Sequence, residues 1–174
     1  MDAVVDSQES TTLYGIVLQQ KYITELSELI NDEVKMANHL VIIGMGLHGH
    51  NVAKAAKAAG IEYVILDNDP DIVRAEKDRG EHIYFGSASH EEVLKQCGVE
   101  RAEVVVITPS NSTTVYQATD LVRKMNPKTH IIARIVLLED MEDVYKYGAN
   151  EVIPEEFDKI KILDPIDSNP FGFW

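Results

Sequence analysis

Several features are scarce in this sequence, and each scarcity excludes a class of protein. The chain of 174 residues contains one cysteine, Cys97. No internal disulfide can therefore form, and we expect a reducing, cytoplasmic environment. Lys and Arg number 16 against 29 Asp and Glu, which gives a net charge of −13. Because nucleic-acid-binding surfaces and proteins that dock on anionic lipid need positive charge, the sequence predicts neither partner.

Long apolar stretches are also lacking. The apolar run Leu40–Leu47 is among the longest, and it is far shorter than the roughly 18 residues that a membrane-spanning helix needs. The first ten residues carry Asp2, Asp6 and Glu9 and contain no apolar signal region. We therefore expect neither direct membrane insertion nor secretion.

More than half of the net charge lies on the two flanks of the chain, which predicts a compact body with solvated ends. We predict an N-terminal segment, 1–38, a nucleotide-binding domain, 39–157, and a C-terminal tail, 158–174. The N-terminal segment contains an apolar stripe with helical spacing, which predicts an amphipathic helix packed on the body or on a second copy of the chain. Acidic residues on its polar face disfavour a membrane-surface helix. The members of the stripe are Leu18, Tyr22, Leu26, Leu29, Ile30 and Val34.

The middle of the chain alternates short apolar runs with amphipathic stretches, a pattern typical of strands and helices in turn. Asp69 followed by Pro70 predicts a helix start, and Ser89 with Glu92 has the spacing of a capping box. This pattern predicts an α/β protein with a Rossmann-like doubly wound, six-stranded parallel sheet in the order 3-2-1-4-5-6, and an extra N-terminal helix. The predicted strands are 39–44, 61–66, 82–85, 104–108, 131–135 and 151–153, and the predicted helices are 51–59, 70–79, 89–97, 112–125 and 139–147.

A glycine-rich G-x-G-x-x-G motif follows the first predicted strand and opens the first helix. Its six residues are Gly44, Met45, Gly46, Leu47, His48 and Gly49. Gly44 permits a tight turn, Gly46 lets a phosphate approach the backbone, and Gly49 lets the helix pack closely against the strand. The positive end of the helix dipole would then hold the anion. In this strand–turn–helix context the motif predicts nucleotide binding; the alternative is a Rossmann turn that holds no ligand.

Polar residues at the ends of three further strands complete the predicted site. Asp67, with Asn68 beside it, ends the second strand, where an acidic side chain accepts hydrogen bonds from ribose hydroxyls. A carboxylate there repels a 2′-phosphate and disfavours NADP. The stretch Gly86, Ser87 and Ala88 follows the third strand and offers a hydroxyl near the adenosine end. Thr108 ends the fourth strand and is also expected to reach the crevice.

Residues 39–157 resemble the nucleotide-binding half of RCK domains, also called Trk-type N-terminal domains. The C-terminal piece of the match, 148–157, is most similar to the soluble tail of Kef-type monovalent cation:proton antiporters. The matching pieces are Leu40–Gly46, Val64–Asp67 with Asp69–Pro70, Gly86–Ala88, Glu91–Leu94, Gly98–Ala102, Ile131–Arg134 and Gly148–Phe157.

This resemblance implies a non-enzymatic regulatory domain that controls potassium or other monovalent cation transport. It implies an adenine nucleotide as ligand, either NAD(H) or AMP, ADP or ATP. It also implies a membrane cation transporter or channel as partner, on the same or a separate chain, homodimerisation, and a place at the cytoplasmic face of the membrane. The sequence departs from the family pattern at Leu47, where an Arg often helps to bind phosphate, and at Ser87, where an Asp usually holds the adenosine.

An NAD-dependent oxidoreductase or a free-standing NAD-sensing protein is the alternative function, although hydride transfer normally needs acid–base groups from a further domain.

Other residues admit simpler interpretations. His48 and His50 do not by themselves form a coordination set, so no metal site is predicted. Cys97 is expected to be a small buried apolar residue. Arg134 either pairs with an acid at a subunit contact or lines the crevice.

Overall fold

The structure, a computed structural model, describes residues 34–155 of the chain. The chain divides into two compact units, Met1–Asp32 and Glu33–Trp174, and the described residues belong to the second. The predicted N-terminal helix and the tail 158–174 therefore lie outside the described residues. No helix in the described range is long and apolar enough to cross a membrane.

Six strands form one parallel sheet in the order β3-β2-β1-β4-β5-β6. The register places Ile42 at the centre of the sheet, between Ile65 of β2 and Val106 of β4. The predicted fold class and strand order are thus confirmed. The strands are β1 (Leu40–Ile43), β2 (Tyr63–Asp67), β3 (Ile83–Phe85), β4 (Val104–Ile107), β5 (His130–Ile135) and β6 (Glu151–Pro154).

Five α-helices connect the strands. They are α1 (Leu47–Ala59), α2 (Pro70–Asp78), α3 (Glu91–Gln96), α4 (Ser112–Met125) and α5 (Met141–Lys146), with 3-10 turns at Val99–Arg101 and Leu138–Asp140. The α2 start is as predicted, because the Asp69 side chain accepts hydrogen bonds from the amides of Asp71 and Ile72.

Two helix starts differ from the sequence prediction. The first helix begins at Leu47 rather than at residue 51, so the second half of the glycine motif is already helical. The capping box at Ser89 does not form: His90 is the N-cap of α3, and the Ser89 hydroxyl lies 2.8 Å from the hydroxyl of Ser87 instead. The competing local bond between two serines leaves no side-chain cap at this helix.

The two halves of the sheet differ in burial. All residues of β1 are buried, whereas β4 and β5 alternate between buried and partly exposed residues. Their buried residues, Val105, Ile107, Ile131 and Ala133 among them, belong to one core cluster with the apolar face of α4. Ile153 on β6 is 41% exposed. One face of this half of the sheet is therefore only partly covered by the described residues.

The segment that leads into β1 belongs to the same packed body. Val34, the predicted last member of the apolar stripe, is not helical. It is buried, and its amide donates to the carbonyl of Gln96 at 2.8 Å. Its own carbonyl accepts from the Arg101 guanidinium. These bonds hold Val34 against the end of α3, where Cys97 is also buried.

Candidate functional site

A crevice of about 480 Å³ opens at the carboxyl ends of the strands, between the halves of the sheet that begin with β1 and β4. This is the point where the strand order reverses, which is the usual ligand position in doubly wound sheets. The predicted site residues that line it are Gly44, Gly46, Leu47, His48, Asp67, Asn68, Gly86, Ser87, Ala88 and Thr108. Met45 and Gly49 do not line it. The amide of Met45 donates to Asp67, and Gly49 packs against the carbonyl of Gly44.

The three glycines of the motif meet different constraints. Gly44 has φ +91°, and a Cβ there would lie 2.7 Å from the Thr108 hydroxyl oxygen. A Cβ on Gly49 would lie 1.8 Å from the carbonyl oxygen of Gly44, so only glycine fits this contact between α1 and the loop. Gly46 is different, because a Cβ there would have nothing within 4 Å. Gly46 therefore keeps the crevice open, whereas Gly49 keeps the loop and the helix together.

The start of α1 faces the crevice with its backbone. Its N-cap, Gly46, has no side chain to cap the helix, and the first turn contains no acidic residue. The hydrogen-bond ladder of the helix begins with the bond from the amide of His50 to the carbonyl of Gly46, at 2.9 Å. The amide dipoles of the first turn are thus directed at the crevice, where they favour an anion. Leu47 in that turn is 74% exposed and adds no charge.

Asp67 connects two of the loops that form the crevice. One carboxylate oxygen accepts from the amide of Met45 at 2.6 Å, and the other accepts from the amide of Asp69 at 2.8 Å. The residue is only 8% exposed. Each carboxylate oxygen has a second lone pair, so the group can still accept bonds from ligand hydroxyls. The sequence predicts the role of Asp67 toward a ribose, but it does not predict that Asp67 also holds the glycine loop.

The wall on the β3 side is formed by Gly86, Ser87 and Ala88. Gly86 has φ +156°, and a Cβ there would lie 2.7 Å from a methyl carbon of Val93. The glycine therefore lets the loop run close to α3. Ala88 is buried, while the Ser87 hydroxyl is held by Ser89. This wall is uncharged, and a hydroxyl is its polar group at the position where the family pattern has a carboxylate.

Thr108 lies under the glycine loop. Its hydroxyl donates to the carbonyls of Ile43 and Gly44, at 3.0 and 2.9 Å. The single hydroxyl proton is thus shared between two backbone acceptors. Thr108 reaches the crevice as predicted, but its proton stabilises the turn after β1.

Several residues that line the crevice are absent from the sequence prediction. The loop after β4 contributes Pro109, Ser110 and Asn111, and α4 contributes Thr114. The Asn111 side chain accepts from the amide of Thr114 at 3.0 Å and so caps α4. The position of β4 next to β1 is the signal that could have identified this loop, because both strands end at the same edge.

Arg134, at the end of β5, lines the crevice and also pairs with an acid. One terminal nitrogen lies 3.1 Å from the carboxylate of Glu155, just beyond β6. The other donates to the carbonyl of Thr108 at 3.4 Å. The alternative in which Arg134 lines the crevice is therefore confirmed, and the acid with which it pairs in the structure belongs to the same chain.

The remaining titratable candidates have structural surroundings. Burial raises the pKa of the Cys97 thiol to about 12, so the thiolate form is strongly disfavoured, as expected for a buried apolar role. Within residues 34–155, no three His, Cys, Asp or Glu side chains converge as a metal-binding group.

The family comparison agrees with this geometry. The family model of the TrkA-N domain matches residues 40–155. Among curated relatives, the glutathione-regulated potassium-efflux system protein KefC of Escherichia fergusonii is 26% identical over 134 residues. That alignment covers 76% of this chain but 22% of the relative, so the chain spans about a fifth of its length.

Solved structures share the fold. The TrkA-N domain of the inner membrane protein ybaL from Escherichia coli has a TM-score of 0.70 at 24% identity, over 75% of this chain and 100% of that chain. The AMP-bound C-terminal domain of Shewanella denitrificans Kef has a TM-score of 0.64 at 24% identity, over 72% of this chain and 76% of that chain. The GsuK channel bound to NAD has a TM-score of 0.65 at 18% identity, over 80% of this chain and 27% of that chain.

The family match covers the sheet from its first strand to its last, and it includes every loop that forms the crevice. The chain therefore belongs to the TrkA-N domain family.

Proposed function

We propose that this chain is a regulatory domain that binds an adenine nucleotide in the crevice and thereby controls a monovalent cation transporter or channel. The observation that carries the proposal is the crevice itself. It combines a helix start that has no side-chain cap, a glycine there (Gly46) that leaves room for a phosphate, and a carboxylate at the end of β2. These groups suit the phosphate and ribose of one nucleotide.

The choice of nucleotide follows from the same groups. The Asp67 carboxylate would repel a 2′-phosphate, so NADP is disfavoured against NAD(H), AMP, ADP and ATP. The AMP-bound Kef domain and the NAD-bound GsuK channel support a ligand of this class. The test is a thermal-unfolding panel with these nucleotides. A ligand at 100 times its dissociation constant stabilises the folded state by about 2.7 kcal/mol. A flat panel would show that the crevice holds no nucleotide.

A binding role is proposed in preference to hydride transfer. Several relatives and structural neighbours of this chain are named as a potassium-efflux system protein or as a channel, which supports regulation of transport. Incubation with NADH and candidate oxidised substrates should leave the NADH absorbance unchanged. Turnover at a steady rate would instead favour an oxidoreductase.

Regulation requires that the nucleotide bind two arrangements of the domain with different affinity. We propose that the arrangement is transmitted to the membrane protein on the cytoplasmic side, and that the domain acts as a homodimer. The rest of the predicted apolar stripe, from Leu18 to Ile30, supports a contact between copies. Sedimentation analysis with and without nucleotide tests this part, and a monomer at high concentration in both conditions would contradict it.

A further inference from the structure

Arg134 carries more hydrogen-bonding capacity than its surroundings use. Its side chain is 10% exposed, and its guanidinium has five N–H groups. Among the described residues, the terminal nitrogens contact Glu155 and the carbonyl of Thr108, the latter at a long 3.4 Å. The Nε atom is buried and has no hydrogen-bond partner there. A buried donor without an acceptor is unfavourable, so it indicates an acceptor, a water or a ligand atom, that the described residues do not supply.

The position of Arg134 defines what that acceptor would be. Arg134 lines the crevice together with Leu47 and His48 at the start of α1. It is the only Lys or Arg among the crevice-lining residues of the described range. Leu47 supplies no charge, so positive charge reaches the crevice from the helix start and from Arg134. A guanidinium in this position suits an oxyanion, which it can bind with two parallel bonds.

Glu155 occupies part of that binding capacity in the structure. Glu155 follows β6 directly, and its side chain is 31% exposed. An incoming oxyanion would compete with this carboxylate for the same donors, because both are acceptors for the same guanidinium. Ligand binding at Arg134 and the contact with Glu155 are therefore thermodynamically linked and oppose one another.

We propose that Arg134 is the second anion-binding group of the crevice, and that it exchanges Glu155 for an oxyanion of the ligand. This inference rests on the proposed nucleotide binding and specifies the ligand further. The helix start holds the first phosphate, and Arg134 holds a second oxyanion. That oxyanion is either a second phosphate of the same nucleotide or a separate phosphate-like anion bound beside a mononucleotide.

The test compares the affinities of AMP and ADP by calorimetry for the unmodified chain and two variants. Arg134→Gln should weaken ADP about tenfold and leave AMP within about twofold, because the lost bonds involve the second phosphate alone. Glu155→Gln should strengthen ADP by about threefold or more, since it weakens the competitor and leaves Arg134 in place. Glu151→Gln, at the exposed start of β6, is the matched control and should change neither affinity.

A further arm distinguishes the two sources of the anion. If the anion is separate, inorganic phosphate should strengthen AMP binding to the unmodified chain, and Arg134→Gln should abolish this effect. A selective loss of ADP affinity and a loss of the phosphate effect each support the exchange at Arg134. Equal weakening of AMP and ADP by Arg134→Gln, together with no gain from Glu155→Gln, would overturn it.

The Glu155→Gln arm keeps the test valid if Arg134→Gln fails to fold, because Glu155 is partly exposed. A lack of any nucleotide binding by the unmodified chain would overturn the proposed function as well. Nucleotide binding without these differences would overturn this inference alone.

Discussion

The glycine motif contains two positions at which a single methyl group should affect different properties, stability at Gly49 and nucleotide binding at Gly46. In Gly49→Ala, the new Cβ would lie 1.8 Å from the carbonyl oxygen of Gly44 and 3.4 Å from the Thr108 hydroxyl. The first atom is backbone, so neither a rotamer change nor a small side-chain movement can remove the overlap. Either α1 must move away from β1, or the turn at Gly44 must change.

The cost can be set against known magnitudes. Inserting a methyl group into a packed site typically costs about 1–3 kcal/mol, and backbone overlap of this size belongs at or above the upper end. We expect Gly49→Ala to lower the unfolding free energy by about 3 kcal/mol or more. For a chain of this length, this loss corresponds to a decrease in melting temperature of roughly 6–12 °C.

Gly46→Ala is the matched control. Gly46 has φ −64° and ψ −167°, which alanine adopts without strain, and its Cβ would have nothing within 4 Å. We expect a melting temperature close to that of the unmodified chain. Because Gly46 lines the crevice, the same methyl group should weaken nucleotide binding by about tenfold or more.

Thermal unfolding without ligand and calorimetry with the tightest nucleotide separate the two effects. If Gly49→Ala unfolds at the temperature of the unmodified chain, the packing argument is wrong. If Gly46→Ala binds nucleotide normally, the phosphate does not lie against the helix start.

Three further predictions concern single side chains. Asp67→Ala should lower nucleotide affinity at least about tenfold and also destabilise the free domain by about 1–3 kcal/mol, because two loop amides lose their acceptor; calorimetry and urea unfolding measure these effects, and an unchanged affinity would contradict the role at the ribose. A hydrogen bond from Tyr63 holds the pKa of Glu81 below its ordinary value. This stabilisation is present above the ordinary pKa of Glu81 and is lost as pH falls through the lowered pKa of the folded state, so the unfolding free energy should decrease as the pH is brought below that ordinary pKa. Tyr63→Phe should make that decrease smaller, whereas Tyr145→Phe, at a more exposed tyrosine, should not. Cys97, whose pKa burial raises to about 12, should react with a thiol reagent only as fast as the domain opens, and rapid reaction in the folded state would contradict its burial.

The sequence predicts the order of the sheet because each strand is a short apolar run between strong helix signals, and parallel strands with helical crossovers have few allowed arrangements. It also predicts where the glycine motif and Asp67 lie, since their positions depend on strand ends. It does not predict the failure of the Ser89 cap, which depends on a competing bond to a neighbouring serine. The role of Pro109–Asn111 follows from the place of β4 beside β1 and not from a motif in the loop itself. The pairing of Arg134 with Glu155 depends on a contact between two strands, so spacing along the chain could not show it.

The direction of the last strand has a mechanical consequence. Since β6 is parallel to β5 and to the rest of the sheet, it ends at the same edge at which the crevice opens. If β6 ran antiparallel to β5, this four-residue strand would end at the opposite edge of the sheet, about 13 Å from the crevice edge. Glu155, where the described residues end, is therefore at the edge of the crevice and pairs with Arg134 in its wall. A movement of Arg134 would act on Glu155 directly and would not have to deform the core of the sheet.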